Sequence, residues 1–188
     1  MNFRALTLAA MLSVASVAGS AVYAQENPEV GGAAMFADKN IIENAVNSAD
    51  HTTLVAAVKA AGLVETLSGE GPFTVLAPVN AAFDALPAGT VDTLLKPENK
   101  ETLSTILACH VIPAKALSTD IVGMVEADGG EHVVDTVGGC KLTLKAADGK
   151  VTVTDENGTV ANVTIADVIQ SNGVIHVIDA VLTPKSAM

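Results

Sequence analysis

Two histidines lie at positions where an imidazole could serve binding or metal coordination. His110 falls at the predicted end of a helix, and His176 lies within an apolar run typical of a central strand. His110 is a candidate for contact with a partner, but a buried histidine that hydrogen-bonds the free carbonyls of the helix end is favoured. His176 is favoured as a hydrogen-bonded core residue. A zinc site shared by the two is disfavoured, because the sequence places no third or fourth ligand.

The two cysteines, Cys109 and Cys140, are the only ones in the chain. Their spacing fits no zinc motif and no C-x-x-C redox motif. For a chain that enters an oxidising compartment, a structural disulfide between them is favoured over two buried thiols.

The sequence contains no nucleophile elbow, no glycine-rich dinucleotide motif and no zinc-protease helix. We therefore predict a protein without enzymatic activity, metal or cofactor. The acidic segments 128–132 and 155–158 lack the alternating oxygens and distal Glu of a calcium loop, and they are predicted to be solvated turns. Asn80 is a candidate structural residue, placed to cap a helical turn over 81–86.

Charge and composition exclude several classes of partner. The chain of 188 residues carries 10 basic and 21 acidic side chains, a net charge of −11. Such a balance disfavours nucleic acid and electrostatic attachment to anionic membranes, since both require clustered Lys and Arg. Tryptophan is absent and aromatic residues make up 3% of the chain, so a site that stacks sugars or bases on aromatic rings is not expected.

The chain is predicted to divide into four segments. Residues 1–24 combine Arg4, an apolar run and a final Val22-Tyr23-Ala24, which is the pattern of a secretory signal peptide. Residues 25–38 show no periodicity and are predicted to be a flexible leader. A single domain follows over 39–184, with a short tail at 185–188. The apolar run is too short to span a bilayer, so stable membrane insertion is not expected.

The first half of the domain is predicted to be mainly helical and the second half mainly strands. Apolar residues recur at helical spacing after Asn40, after Asp50 and from Pro97 to Cys109, and Gly62 is expected to end the second helix. A short strand is predicted over 73–77. Alternating Val and Thr predict strands near 133–134, 142–144, 151–153 and 163–165, with hairpin turns at 148–149 and 157–158. The last strand, 174–182, should be central in the sheet. This order indicates an α+β fold.

Three segments resemble the fasciclin-I domain family. Residues 71–83, GPFTVLAPVNAAF, are similar to its first signature box. Residues 109–113, CHVIP, are similar to its central Tyr-His segment, and residues 171–184, SNGVIHVIDAVLTP, to its second box. The order and spacing of the three fit the family from about 39 to 184. Val79 and Cys109 stand where the family usually has Thr and Tyr.

The resemblance implies a wedge-shaped β-sheet core packed with several helices. It also implies a non-enzymatic adhesion or interaction module that binds a cell-surface, envelope or matrix protein or glycan. An Asp-Ile segment before the second box is tied to integrin binding in animal relatives, and it corresponds to Asp167-Val168 here. Asp167, Val168 and His110 are therefore the candidate interaction residues.

The aliphatic-rich, aromatic-poor composition leaves a second function open. Pockets lined by Val, Leu and Ala between sheet and helices would suit a carrier of a small apolar ligand, such as a lipid or pigment. Under either function the sequence predicts an exported protein, periplasmic or secreted.

Overall fold

The computed structural model describes residues 27–185; the predicted signal peptide and the last three residues of the tail lie outside them. The helices of this part are α1 (Ile41–Ala45), α2 (Thr52–Ala61), α3 (Val64–Ser68), α4 (Asn80–Asp84), α5 (Thr90–Leu94), α6 (Lys100–Ala108) and α7 (Ser118–Ala127). Single turns of 3-10 helix, Ala49–His51 and Pro97–Asn99, precede α2 and α6. The strands are β1 (Glu29–Val30), β2 (Ala33–Ala34), β3 (Phe73–Pro78), β4 (Val111–Ile112), β5 (His132–Asp135), β6 (Lys141–Ala147), β7 (Lys150–Thr154), β8 (Val160–Gln170) and β9 (Gly173–Ile178).

A mixed sheet of seven strands forms the centre of the domain. Its order is β4-β3-β9-β8-β7-β6-β5, with β3 and β9 parallel and every other neighbouring pair antiparallel. All six residues of β9 are buried. This confirms the α+β fold and the central position of the last strand, whose sequence, apolar apart from His176, matches burial on both faces.

Two hydrophobic clusters lie on opposite faces of the central strands. Val75 and Ala77 of β3 join the larger cluster, built with helices α1 to α4 and α6. Leu76, between them, joins the smaller cluster with α7 and strands β6 and β7. The alternation follows from the period of two in a strand, which sends successive side chains to opposite faces.

Local sequence signals set several of the element boundaries. Gly62 ends α2 in the left-handed conformation, with φ of 77°, which costs glycine no steric strain. Asp148 and Gly149, both at positive φ, turn the chain between β6 and β7. Helix α7 was not predicted, because Ile121 and Val125 are its only fully buried residues and the apolar stripe is too thin to show in the sequence.

The segment before α1 departs from the prediction of a flexible leader. Strands β1 and β2 pair as a small hairpin, and the side chains of Val30 and Met35 are 3% and 2% exposed in the larger core. The Gly31 carbonyl accepts a hydrogen bond from the Ala49 amide, which fastens the hairpin to the turn before α2. Two buried side chains on either side of a tight glycine turn are too few to produce a hydrophobic periodicity in the sequence.

The last strand is also shorter than predicted, because it ends at Ile178. Residues 179–184 are irregular, yet Val181 and Leu182 are buried. Side chains, rather than a neighbouring strand, accept hydrogen bonds from the backbone amides here. The Leu182 amide donates to the His110 ring, and the Thr183 amide donates to the Asp155 carboxylate. Among residues 27–185 no helix is both long and apolar enough to cross a bilayer.

Candidate functional site

His110 follows the end of α6 and is 2% exposed. Its Nδ1 lies 2.8 Å from the Ile106 carbonyl oxygen, which only accepts, so Nδ1 carries the proton. Its Nε2 accepts a hydrogen bond of 2.9 Å from the Leu182 amide. Burial lowers the pKa of His110 from 6.5 to about 4, against the opposing effects of the Ile106 carbonyl and the Asp155 carboxylate. The neutral ring therefore ties α6 to the C-terminal segment, and it does not reach the surface where a partner could contact it.

The disulfide predicted from the sequence is present beside this histidine. Cys109 and Cys140 are bonded, with their Cα atoms 5.3 Å apart, and both are buried. The bond joins the end of α6 to the connection between β5 and β6. Backbone hydrogen bonds from Val137 to Val111 and from Gly138 to Ala108 hold the same two segments together. The disulfide thus reinforces a junction that the backbone also makes.

His176, the second of the two histidines singled out in the sequence, is also buried and lies in the middle of β9. Its Nε2 lies 2.9 Å from the Ala116 carbonyl oxygen and therefore donates, while its Nδ1 accepts from the Asp167 amide at 3.3 Å. Burial lowers the pKa of this imidazole, opposed by the Ala116 carbonyl and the Asp167 carboxylate. Both nitrogens of both histidines are occupied, so His110 and His176 have no free electron pair for a metal. Residues 27–185 also contain no cluster of three His, Cys, Asp or Glu side chains that could hold one.

Asp167 caps helix α7 rather than standing free. Its carboxylate accepts from the Ser118 amide at 2.6 Å and, through a short contact, from the Ser118 hydroxyl. Its backbone lies in the left-handed region, with φ of 59°, at a bulge in β8 where the pairing with β9 shifts register. The side chain is half-buried. The neighbouring Val168 is fully buried, so of the predicted pair only Asp167 is within reach of a partner, and its carboxylate already has donors.

Ser118, Asp167 and His176 lie together, but their arrangement does not match acyl-transfer catalysis. A nucleophilic triad requires the serine hydroxyl to bond the imidazole and the imidazole to bond the carboxylate. Here the hydroxyl bonds the carboxylate, and the imidazole accepts from the backbone amide of the aspartate. The three residues join α7, β8 and β9 instead.

Asn80 caps a different helix from the one predicted. The N-cap of α4 is Val79, whereas the Asn80 side-chain oxygen accepts from the Thr53 amide at 3.0 Å, at the start of α2. Its amide group donates to the Ala49 carbonyl at 2.8 Å. The sequence could not show this cap, because donor and acceptor are 27 residues apart.

We expect Asn80→Ala to lower the free energy of unfolding by about 1 kcal/mol, the usual value of a helix cap. Chemical denaturation followed by circular dichroism measures the change. Asn80→Asp keeps the acceptor oxygen for Thr53 and should recover part of the loss. A loss in Asn80→Asp as large as in Asn80→Ala would contradict the capping role.

Asp155 is a structural anchor that the sequence did not reveal. It is 6% exposed, and its carboxylate accepts from the backbone amides of Asn157, Thr159 and Thr183 at 2.8 to 2.9 Å. The segment 155–158, predicted as a solvated turn, is thus built around a buried carboxylate that holds the C-terminal segment. The sequence predicted a turn here, but the contact with Thr183 that makes it an anchor spans 28 residues.

These contacts define an α+β module in which buried histidines and aspartates hold loops and helix ends to a mixed sheet. The comparisons with known proteins agree with that class. The family model "Fasciclin domain" matches residues 49–184. The chain therefore belongs to the fasciclin domain family, which confirms the resemblance seen in three short segments.

Relatives come from bacteria and animals. Protein sll1483 of Synechocystis is 49% identical over 160 residues, which cover 85% of this chain and 82% of that protein. The cell surface glycolipoprotein MPB83 of Mycobacterium bovis is 34% identical over 174 residues, covering 89% of this chain and 71% of that protein. A solved FAS1 domain pair from the insect cell adhesion molecule Fasciclin I has a TM-score of 0.70 at 18% identity. The match covers 79% of this chain and 52% of that one, and it shows the same fold.

Proposed function

We propose that this protein is an exported, non-enzymatic interaction module that binds a protein or glycan of the cell surface, envelope or matrix. Membership of the fasciclin domain family carries the proposal, since relatives include a named cell surface glycolipoprotein and a structural neighbour is a named cell adhesion molecule. The predicted signal peptide supports export, either to a periplasm or to the medium.

The contact surface proposed here is the groove beside the β8 bulge rather than the buried residues near it. The groove lies between the start of α7 and strands β7 and β8. Its exposed side chains include Lys150, Asn162, Thr164 and Ala166, which offer a cation, hydrogen-bonding groups and a small apolar patch. Bulges commonly re-aim exposed side chains, and they are frequent next to functional sites. Asp167 shapes the groove by holding α7 against it.

A bulky charged residue in this groove should block partner binding without disturbing the core. We expect Ala166→Arg to capture at least tenfold less of the envelope or matrix components than the unchanged protein does, because the new side chain fills the contact surface. Cross-linking followed by affinity capture and quantitative mass spectrometry measures the loss. Ala60→Arg is the matched control, since Ala60 is an exposed alanine on α2 in the helical layer, and capture by this variant should be unchanged.

Two outcomes would count against the proposal. Equal capture by Ala166→Arg and Ala60→Arg would exclude the groove as the contact surface. A chain that retains no envelope, matrix or cell-surface component above a bead control would exclude the interaction function itself.

A further inference from the structure

Strand β5 is one edge of the seven-stranded sheet, and β4 is the other. The two edges meet just beyond β5, where the Val137 amide donates to the Val111 carbonyl at 2.8 Å. Along β5 itself they are apart, since residues 132–135 and 111–112 share no backbone hydrogen bond. The sheet therefore closes at one point and stays open along β5.

The backbone groups on the open side of β5 are identified by the hydrogen bonds at its end. The Thr136 amide donates to the Cys140 carbonyl, on the segment that leads into β6, at 2.9 Å. Because backbone groups alternate in direction along an antiparallel strand, Val133 and Asp135 direct both N–H and C=O away from β6. Within residues 27–185 these four groups make no hydrogen bond. They form an open edge that a further strand could pair with.

The side chains at this open edge alternate between acidic and apolar. Glu131, Val133 and Asp135 lie on the exposed face of the sheet, and Val133 is 54% exposed. The nearest cations are on β6, where Lys145 lies 2.6 Å from Glu131 and Lys141 lies 2.9 Å from Asp135. Proteins commonly protect an edge strand with lysine, proline or a bulge. Strand β5 has none of these, and its register with β6 is regular.

We propose that β5 binds an extended, basic segment of a partner protein, which joins the sheet as an eighth strand antiparallel to β5. One residue of the segment exchanges two backbone hydrogen bonds with Val133, and the residue two positions away exchanges two with Asp135. A β-branched apolar side chain of the segment faces Val133, and basic side chains on either side of it face Glu131 and Asp135. The net charge of −11 favours a basic partner in the same way.

A second copy of this chain is disfavoured as the added strand. Two β5 strands side by side would gather Glu131 and Asp135 of both copies at one junction, with the lysines behind them on β6. Like charges on neighbouring strands are destabilising. An edge of four residues also offers far less area than the roughly 1,000 Å² of a stable interface, which suits a transient peptide contact better than a dimer.

The test titrates the folded chain with the peptide acetyl-Thr-Lys-Thr-Val-Thr-Lys-Thr-amide, followed by two-dimensional NMR. In an extended conformation its lysines and valine share one face. We expect the amide resonances of Val133 and Asp135 to shift. Methylation of the nitrogen of the central valine should weaken binding about tenfold, because that N–H donates to Val133. Methylation of the next threonine nitrogen, which points away from β5, should leave the affinity unchanged. The peptide with glutamate in place of both lysines should bind about tenfold more weakly.

Matched changes in the protein test the same edge. Val133→Lys adds to β5 the cation with which edge strands commonly repel a further strand, and it should weaken peptide binding about tenfold. Val160→Lys adds the same charge at a valine that is 53% exposed but lies on β8, inside the sheet, and it should leave the affinity unchanged. Val133→Pro removes the outward N–H without removing a hydrogen bond to β6, and it should also abolish binding.

Several results would overturn the proposal. They are no binding of the peptide, equal affinity of the glutamate peptide, equal effects of the two methylations, or unchanged binding by Val133→Lys. Dimerisation through β5 without peptide, measured by the concentration dependence of translational diffusion, would make a second copy the occupant and would also overturn it. Strands β6 and β7 separate this edge from the groove at Ala166, and the titration uses no envelope component. Failure of either proposal therefore leaves the other standing.

Discussion

Replacing Asp155 with alanine is expected to lower the free energy of unfolding by about 4 kcal/mol, near the upper end of the range for single substitutions. The buried carboxylate is the shared acceptor for three backbone amides. Removing it leaves each amide without a hydrogen-bond partner, which costs about 1–3 kcal/mol per amide, and water that enters the site offsets part of this loss. For a domain of this size the loss corresponds to roughly 10 °C in Tm. Circular dichroism during urea and thermal unfolding measures both quantities.

Two variants separate this anchor from an ordinary surface aspartate. Asp155→Asn keeps one acceptor oxygen and should lose about half as much. Asp179 also accepts two hydrogen bonds, both from Asn162, but it is exposed, and Asp179→Ala should cost less than about 1 kcal/mol. A loss in Asp155→Ala no larger than that in Asp179→Ala would show that the C-terminal segment does not depend on the buried carboxylate.

The parts of the fold that the sequence predicted are those fixed by contacts close in the chain. Gly62 ends α2, Asp148-Gly149 turns a hairpin, and the apolar run of β9 shows that both faces are covered, each from residues within one element. The β1–β2 hairpin and α7 escaped prediction because each is held by only two or three buried side chains. Periodicity cannot be detected in so few positions.

The same distinction between near and distant contacts in the chain applies to the candidate site. Residue types pointed to His110, His176, Asp167 and Asn80, but their partners lie from 4 to 72 residues away. Asn80 illustrates the consequence, since a cap predicted for its own helix serves α2 instead.

Acidification from pH 7 to pH 4 is expected to remove about 3 kcal/mol of stability through His110 alone. The folded protein holds this imidazole neutral down to a pKa of about 4, whereas the unfolded chain takes up the proton near pH 6.5. Between these values the unfolded state binds more protons, so stability falls as pH falls, at about 1.4 kcal/mol for each unit. Below pH 4 this residue causes no further loss. The pKa values of His51 and His176 are also lowered by burial, so both add to the fall in the same direction.

His110→Gln separates this effect from the titration of carboxylates over the same pH range. A glutamine amide can donate to Ile106 and accept from Leu182 but does not titrate, so the variant should be less stable than the natural protein at pH 7 and lose less on acidification. The difference between the two free energies of unfolding should shift by about 3 kcal/mol in favour of the variant between pH 7 and pH 4. Urea unfolding followed by circular dichroism measures it, as the chain has no tryptophan. Leu103→Ala, at a buried position of α6, the helix that His110 follows, is the control, and its deficit should stay constant with pH. A constant deficit in His110→Gln would disprove the role of His110.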